Sequence, residues 1–402
     1  MHVAELAKRQ EGYIVGLRRY FHTHPELTGK EFQTLSKIKE ELEAMGIPYV
    51  EVPEGGIIAT LEGKAKGKAV LLRADVDALA IREAEENLCR KRICISGNPG
   101  VMHACGHDGH IAMLLGAAKI LLEKQEELYG RVYLCFERGE EGGGNIRYLL
   151  EYLEKEQVHI DSVYAAHLYA GVESGKIAVN DGAMMASNLP FHVTIRGKGG
   201  HGSRPDRACN PIDAFVEIYG RVGNLRMTKI DPFTPLTFSI GEVTAGNCQN
   251  VIPEELTFKG TMRTFDREGA GMTFYHEFKK LIDSVCALHG CEAVYTRYNP
   301  PGFPVINHKA CAALARQAIG ETLGIDCLTE AEPWMASESF AKFLQRWPGV
   351  FAFIGIRNEE KGVGAEHHSP AFDIDEDVLW QGSAAAASYA LAFLKGEGYA
   401  ER

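Results

Sequence analysis

Four apolar runs in this 402-residue chain each stop at a cluster of acidic or imidazole side chains, and no other feature narrows the fold as much. KAVLLRADVD, from Lys68, ends on Asp75 and Asp77. RVYLCFERGEE, from Arg131, ends on Glu140 and Glu141. DSVYAAHL, from Asp161, ends at His167. GVFAFIGIR, from Gly349, runs into a Gly-rich loop and then His367 and His368. Between the runs, apolar residues recur at helical spacing, as at Ile111, Leu114, Leu115, Ala118 and Leu122. Strands alternating with helices predict an α/β fold, its main domain a mixed, mostly parallel sheet flanked by helices. Such sheets bind ligands beyond the carboxyl ends of their strands. The polar clusters lie where that rule puts a site.

The middle of the chain is patterned differently. Phe191–Arg196 alternates like a half-buried strand. Asn210 and Pro211 suit the cap and first position of a helix. Strands are expected from Leu236 and from Glu255, a helix over about Glu268 to His289, and a closing strand at Glu292–Tyr298. The order β-α-β-β-α-β is ferredoxin-like. Residues 187–297 are therefore expected to form an inserted α+β domain. Residues 1–186 and 298–402 would then make a discontinuous main domain.

A net charge of −11 argues against a nucleic-acid or anionic-membrane surface. No segment approaches the roughly 20 apolar residues that span a bilayer. The N-terminus lacks the apolar core of a signal peptide, so a cytoplasmic location is expected. The ten cysteines are scattered without framework spacing and read as free thiols. A reduced thiol can bind metal, which singles out Cys105.

MHACGHDGH places Cys105 and His107 one residue apart, and a thiolate with an imidazole suits zinc and its neighbours. Alone, the pair equally describes a buried thiol beside surface histidines. His103 and His110 read better as supporting groups than as ligands. Glu140 and Glu141 follow a strand, and neighbours in extended backbone point to opposite sides. One carboxylate can then bind metal while the other faces substrate as a general base. Alone they would be a solvated acidic turn. His167, closing an apolar strand, would by default be a satisfied core residue. His367 and His368 would pass as surface residues. GKGGHG (Gly197–Gly202) fits the dinucleotide-binding glycine pattern, but Pro205 and Pro211 delay the following helix too far to support a pyrophosphate. A tight loop presenting His201 fits better.

Taken together, the chain resembles the hippurate hydrolase and N-acyl amino acid amidohydrolase branch of the aminoacylase–carboxypeptidase metallohydrolases. The resemblance runs from RRYFHTHPELTGKEFQT (Arg18–Thr34) through LRADVDAL, MHACGHDGH, EEGGG, GKGGHGSRP and NVIPEELTFKGTMRTF to HHSPAFDIDED. It implies two divalent metal ions held by Cys105, His107, Glu141, His167 and His368, with His368 preferred to His367 because it precedes Ser369-Pro370. Manganese or zinc is implied, with cobalt and nickel as further candidates. It implies Glu140 as general base and Asp77 as an orienting carboxylate. His201 would donate to the oxyanion in a partner subunit's site, and Asn250 and Arg263 would hold the substrate's carboxylate. The inserted domain would serve as lid and dimerisation domain of a homodimer.

The chain departs from the family in three places. The usual QPAEE is ERGEE here, with Glu137 and Arg138. ALAI replaces ALPI near Ala80, and Ser339 stands where Asp is usual. Arg138 would place a cation beside the site. The expected reaction is cleavage of the amide of an N-acyl or N-aroyl amino acid. A carboxypeptidase or dipeptidase is the alternative, a nucleotide-dependent oxidoreductase a remote one, and a catalytically silent metal-binding protein the bland one.

Overall fold

The structure is a computed structural model that describes residues 2–142 and 144–396. In chain order, the elements that bear on the site are β1 (Ala65–Asp75), α1 (His107–Glu123), β2 (Tyr129–Glu137), β3 (Ser162–Glu173), β4 (Ser187–Arg196), α2 (Pro211–Lys229), β5 (Leu236–Ala245), β6 (Glu255–Thr264), α3 (Met272–Leu288), β7 (Glu292–Tyr298), β8 (Gly349–Arg357) and α4 (Leu379–Lys395).

The chain divides into two units. The first comprises residues 1–184, 306–332 and 339–402, and the second 185–305 and 333–338. The second unit therefore takes in more chain than 187–297, including a six-residue return at 333–338. That return has no pattern of its own. It is tied to the second unit by backbone bonds from the Ala186 N–H to the Trp334 and Ala336 carbonyls.

The first unit is built on an eight-stranded mixed sheet. Its order is Tyr49–Val52, Gly56–Glu62, β2, β1, β3, β8, Ile177–Ala178, Leu328–Thr329. The central strands β2, β1, β3 and β8 run parallel. Residues 69–75 of β1 are all buried, as expected of a strand covered on both faces. The register puts Asp75 opposite Glu137 at the ends of β1 and β2, whereas His167 does not close its strand as expected: it lies in the middle of β3, opposite Phe353, and β3 runs on to Glu173.

Helix α1 differs from the one-sided helix its spacing suggested. It is buried along almost its whole length. The Ala-rich α4 covers its outer side, and the two helices come so close that a Cβ on Gly116 would lie 2.5 Å from Ser383 Oγ. That hydroxyl bonds the Met113 carbonyl at 2.8 Å.

The second unit carries a four-stranded antiparallel sheet in the order β5-β6-β4-β7. With α2 and α3 this is the ferredoxin-like arrangement. Asn210 caps α2 by accepting the Ile212 N–H at 3.1 Å. The expected helix from Glu268 begins at Met272, because Asp266 first caps a wide turn at Arg267–Gly271. The core is aromatic, and the Phe278 ring lies 5.1–5.4 Å from those of Phe191, Phe238 and Phe274. Phe278→Ala should lower unfolding stability by about 3–5 kcal/mol, read as a shift of the urea midpoint.

Candidate metal centre

Gly106 sets the geometry of the thiol–imidazole pair. It lies at φ +94°, a left-handed conformation that favours glycine, and caps α1. The backbone can thus turn between Cys105 and His107, so both side chains enter one buried pocket at the helix start. Cys105 Sγ is 3.5 Å from His167 Nε2.

Hydrogen bonds assign the protons on these rings. His167 Nδ1–H donates to the Leu168 carbonyl at 2.7 Å, which leaves Nε2 as the lone-pair nitrogen. His110 Nε2 accepts the Leu168 N–H at 2.9 Å, so its proton is on Nδ1 and points at Asp75 Oδ1, 2.5 Å away. His110 is thereby committed at both nitrogens and supports its neighbours. His107 Nδ1 faces the Asp77 carbonyl at 2.9 Å and Asp77 Oδ1 at 3.2 Å, which directs Nε2 into the pocket.

Glu140 and Glu141 lie in a turn after β2, where extended backbone was expected. The side chains still take different partners. Glu140 Oε1 accepts the Ser339 N–H at 3.0 Å. Glu141 Oε1 is 3.1 Å from His368 Nε2, and the Glu141 N–H donates to Asp77 Oδ2 at 3.1 Å. His368 has φ +62°, which turns its ring toward Glu141. His367 is partly buried beside it, and its Nε2 accepts the Ala170 N–H at 3.3 Å.

Among the described residues four donor groups form, one of them Asp75, His107 and His110 behind the pocket. Ligand atoms of Cys105, His107 and His167 lie within 4.8 Å of one another, as do those of Cys105, Glu141 and His368, and those of His107, Glu140 and Glu141. A thiol, three imidazoles and two carboxylates in overlapping triplets suit divalent cations of the zinc and manganese type. Burial alone pushes the Cys105 thiol well up, and Glu141 adds to this, so the thiolate needs a cation to form. Burial and His110 hold His167 well below the ordinary imidazole range, in its neutral, ligating form. Burial opposes a charged His107 too, but Asp75 and Asp77 outweigh it and raise the ring well above the usual value. A cation at Nε2 would take the place of that proton.

Arg138 does not reach the site. Its Nε donates to Glu31 Oε2 at 2.9 Å, and the guanidinium lies over the Phe32 ring. The nearby cation is instead Arg73, buried on β1, which sequence reading passed over because an Arg inside an apolar run reads as a strand residue. It bonds Asp75 at 2.8 Å and Glu137 at 2.7 Å. Asp108 was missed likewise. It bonds Arg18 at 3.0 Å and His22 at 2.7 Å, clamping the first turn of α1.

The remaining predicted residues belong to the second unit. His201 lies on a two-residue ribbon paired with Val251–Ile252, and the next helix starts only at Pro211, which removes the dinucleotide reading of the glycine pattern. His201 is exposed, and its Nδ1 accepts the Ser203 N–H at 3.1 Å, so the neutral ring carries its proton on Nε2. Asn250 Oδ1 accepts from the Cys248 thiol at 2.9 Å. Arg263 is partly buried and bonds the Met335 carbonyl at 3.2 Å. Among the described residues it has no carboxylate partner, and burial lowers its pKa.

Residues 71–392 match peptidase family M20/M25/M40. The chain is 35% identical to IAA-amino acid hydrolase ILR1-like 4 of Arabidopsis thaliana over 399 residues, 97% of this chain and 88% of that one. It is 33% identical to thermostable carboxypeptidase 2 of Saccharolobus solfataricus over 395 residues, 96% of each. Among solved structures, the YXEP protein of Bacillus subtilis, described as a dinuclear metal binding peptidase, matches with a TM-score of 0.80 at 30% identity, over 96% of this chain and 99% of that one.

The shifted groups give a pH dependence for metal-stripped protein. Burial lowers His103 to about 4 and also lowers His167, so between roughly pH 6.5 and 4 the unfolded chain binds more protons than the folded one. Asp75, Asp77 and Asp108 are held low by facing imidazoles and arginines despite burial, which extends the same sign below about pH 4. Raised His107 is protonated in both states in the acid range and adds no slope there. Stability should therefore fall steadily on acidification from pH 6.5 to 3. A flat urea midpoint over that range would contradict the assignment.

Proposed function

The chain belongs to peptidase family M20/M25/M40 and is a metal-dependent amide hydrolase, and from that premise we propose that it cleaves N-acyl or N-aroyl amino acids to a carboxylic acid and a free amino acid. The observation that carries the reading is the overlapping donor set beside a backbone-tethered Glu140. In this reading Cys105, His107, Glu141, His167 and His368 hold two divalent cations. When bound, the cations polarise an amide carbonyl and lower the pKa of water toward about 7.

The chain's own groups do the rest. Glu140 takes a proton from the attacking water and delivers it to the leaving nitrogen. Its tether to the Ser339 N–H orients the carboxylate. Asp77 holds His107 from one oxygen and, through the other, takes the Glu141 N–H, so one side chain places two donors. In a homodimer His201, exposed and with its proton on Nε2, donates to the developing oxyanion in the partner subunit's site. Such a donor is worth roughly 2.7–4 kcal/mol. Arg263, charged yet lacking a carboxylate partner among the described residues, suits the free carboxylate of the product amino acid, and Asn250 is assigned the same role.

A second reading, carboxypeptidase or dipeptidase, is supported by the likeness to thermostable carboxypeptidase 2. Both readings place an amino acid carboxylate at Arg263 and differ only in the acyl side. A homodimer fits the second unit, where Ile212, Val216, Tyr219 and Met227 form an exposed apolar stripe along α2 and β5 is an edge strand. A cytoplasmic location fits ten free thiols. No helix among the described residues is long and apolar enough to cross a membrane. The acidic net charge gives nucleic acid no general binding surface.

Hippurate, N-acetyl amino acids and dipeptides, assayed side by side with each metal restored, decide between the two readings. Turnover of N-acyl amino acids should exceed that of dipeptides; the reverse order favours the carboxypeptidase. Glu140→Gln should lower kcat at least about 10²-fold with metal content unchanged by elemental analysis.

A further inference from the structure

Two of the positions where this chain departs from its family's usual residues, Glu137 and Ser339, touch each other. Ser339 Oγ donates to Glu137 Oε1 at 2.7 Å and accepts from Arg73 Nη2 at 2.8 Å. Arg73 Nε donates to Glu137 Oε2 at 2.7 Å, which closes a three-membered ring of hydrogen bonds. All three side chains are buried. A hydroxyl that donates to one partner and accepts from another has its rotor fixed. The backbone N–H of the same serine is the donor to Glu140.

We propose that Ser339 is a positioning residue for Glu140, and that the Arg73–Glu137 pair acts through it. The inference rests on the reading of Glu140 as the general base. Glu137 ends β2 three residues before Glu140, yet Glu140 is oriented by a residue 199 positions away. The ring joins these two stretches of chain. It also places the carboxylate that faces Arg73 on the β2 side of the contact, while position 339 contributes only a hydroxyl.

That placement gives a reciprocal test. Glu137→Gln removes a carboxylate facing a buried guanidinium. Ser339→Asp adds a second carboxylate against Glu137. The double variant moves the charge across the contact, keeps Arg73 neutralised and retains the residue-339 N–H. Each variant is prepared with metal restored and assayed for kcat, KM and metal content, and its metal-stripped form is melted without substrate.

Each single variant should lose about 10- to 100-fold in kcat, with KM and metal stoichiometry within about twofold of wild type. The double variant should return to within about threefold of wild-type kcat. In the metal-stripped series each single change should lower Tm by roughly 4 °C or more, and the double should regain most of it. Ser339→Ala, which removes the hydroxyl and adds no charge, covers the case where Ser339→Asp does not fold. It should lower kcat about tenfold with KM unchanged. A double variant no better than the worse single, or single variants with wild-type kcat, would overturn the proposal. A wild-type enzyme inactive on every N-acyl amino acid and peptide would instead remove the functional reading, and the melting series would still report whether 137 and 339 are coupled.

Discussion

The site depends on where the protons sit on three imidazoles. Lone pairs converge on one pocket only if His167 and His107 both present Nε2, and neutral histidine has two tautomers close in energy. The choice is made by neighbours. The Leu168 peptide accepts from His167 through its carbonyl and donates to His110 through its N–H. Asp77 settles His107 with a carbonyl and a carboxylate oxygen. These contacts are buried, where an electrostatic preference is stronger than it would be in water.

Beneath the rings lies a second requirement, charge balance. Arg18, Arg73, Arg92 and Arg138 are all buried, and each faces carboxylates: Asp108 and Glu376, Asp75 and Glu137, Glu83, and Glu31. An uncompensated buried charge costs several kcal/mol, so these pairs are coupled to the packing around them. They also connect distant parts of the chain. Arg18 on the N-terminal helix Glu11–Thr23 reaches the first turn of α1, and Arg73 reaches residue 339. The pocket is therefore rigid because its foundations are ionic and directional as well as apolar.

Much of this was legible in the sequence. The apolar runs ending at Asp75 and Glu137 are parallel strands with Asp77, Glu140 and Glu141 just beyond them, because such strands bury apolar residues and release polar ones at a common edge, whereas His167 lies inside its strand and not at the end. The β-α-β-β-α-β order and the Asn210 cap followed from local pattern. What failed was non-local. Arg138 looked like a site cation because its neighbours were site residues, but Glu31, far away in sequence, claims it. The Glu140–Glu141 turn, the burial of α1 on nearly every side and the short return at 333–338 depend on contacts with distant segments. His110 and Asp75 carried a weak signal in the motifs around them, but their roles needed the Leu168 peptide to be in place.

The contact between α1 and α4 has a bearing on biosynthesis. The helix that presents Cys105 and His107 is apolar on nearly all sides, and its cover is residues 379–395. A ribosome adding ~5–20 residues per second leaves α1 without that cover for roughly 15 to 55 s. During that interval a nascent chain displays a greasy helix and an unliganded thiol. Early capture by a chaperone, and loading of cations only after release, is the order of events such a layout favours.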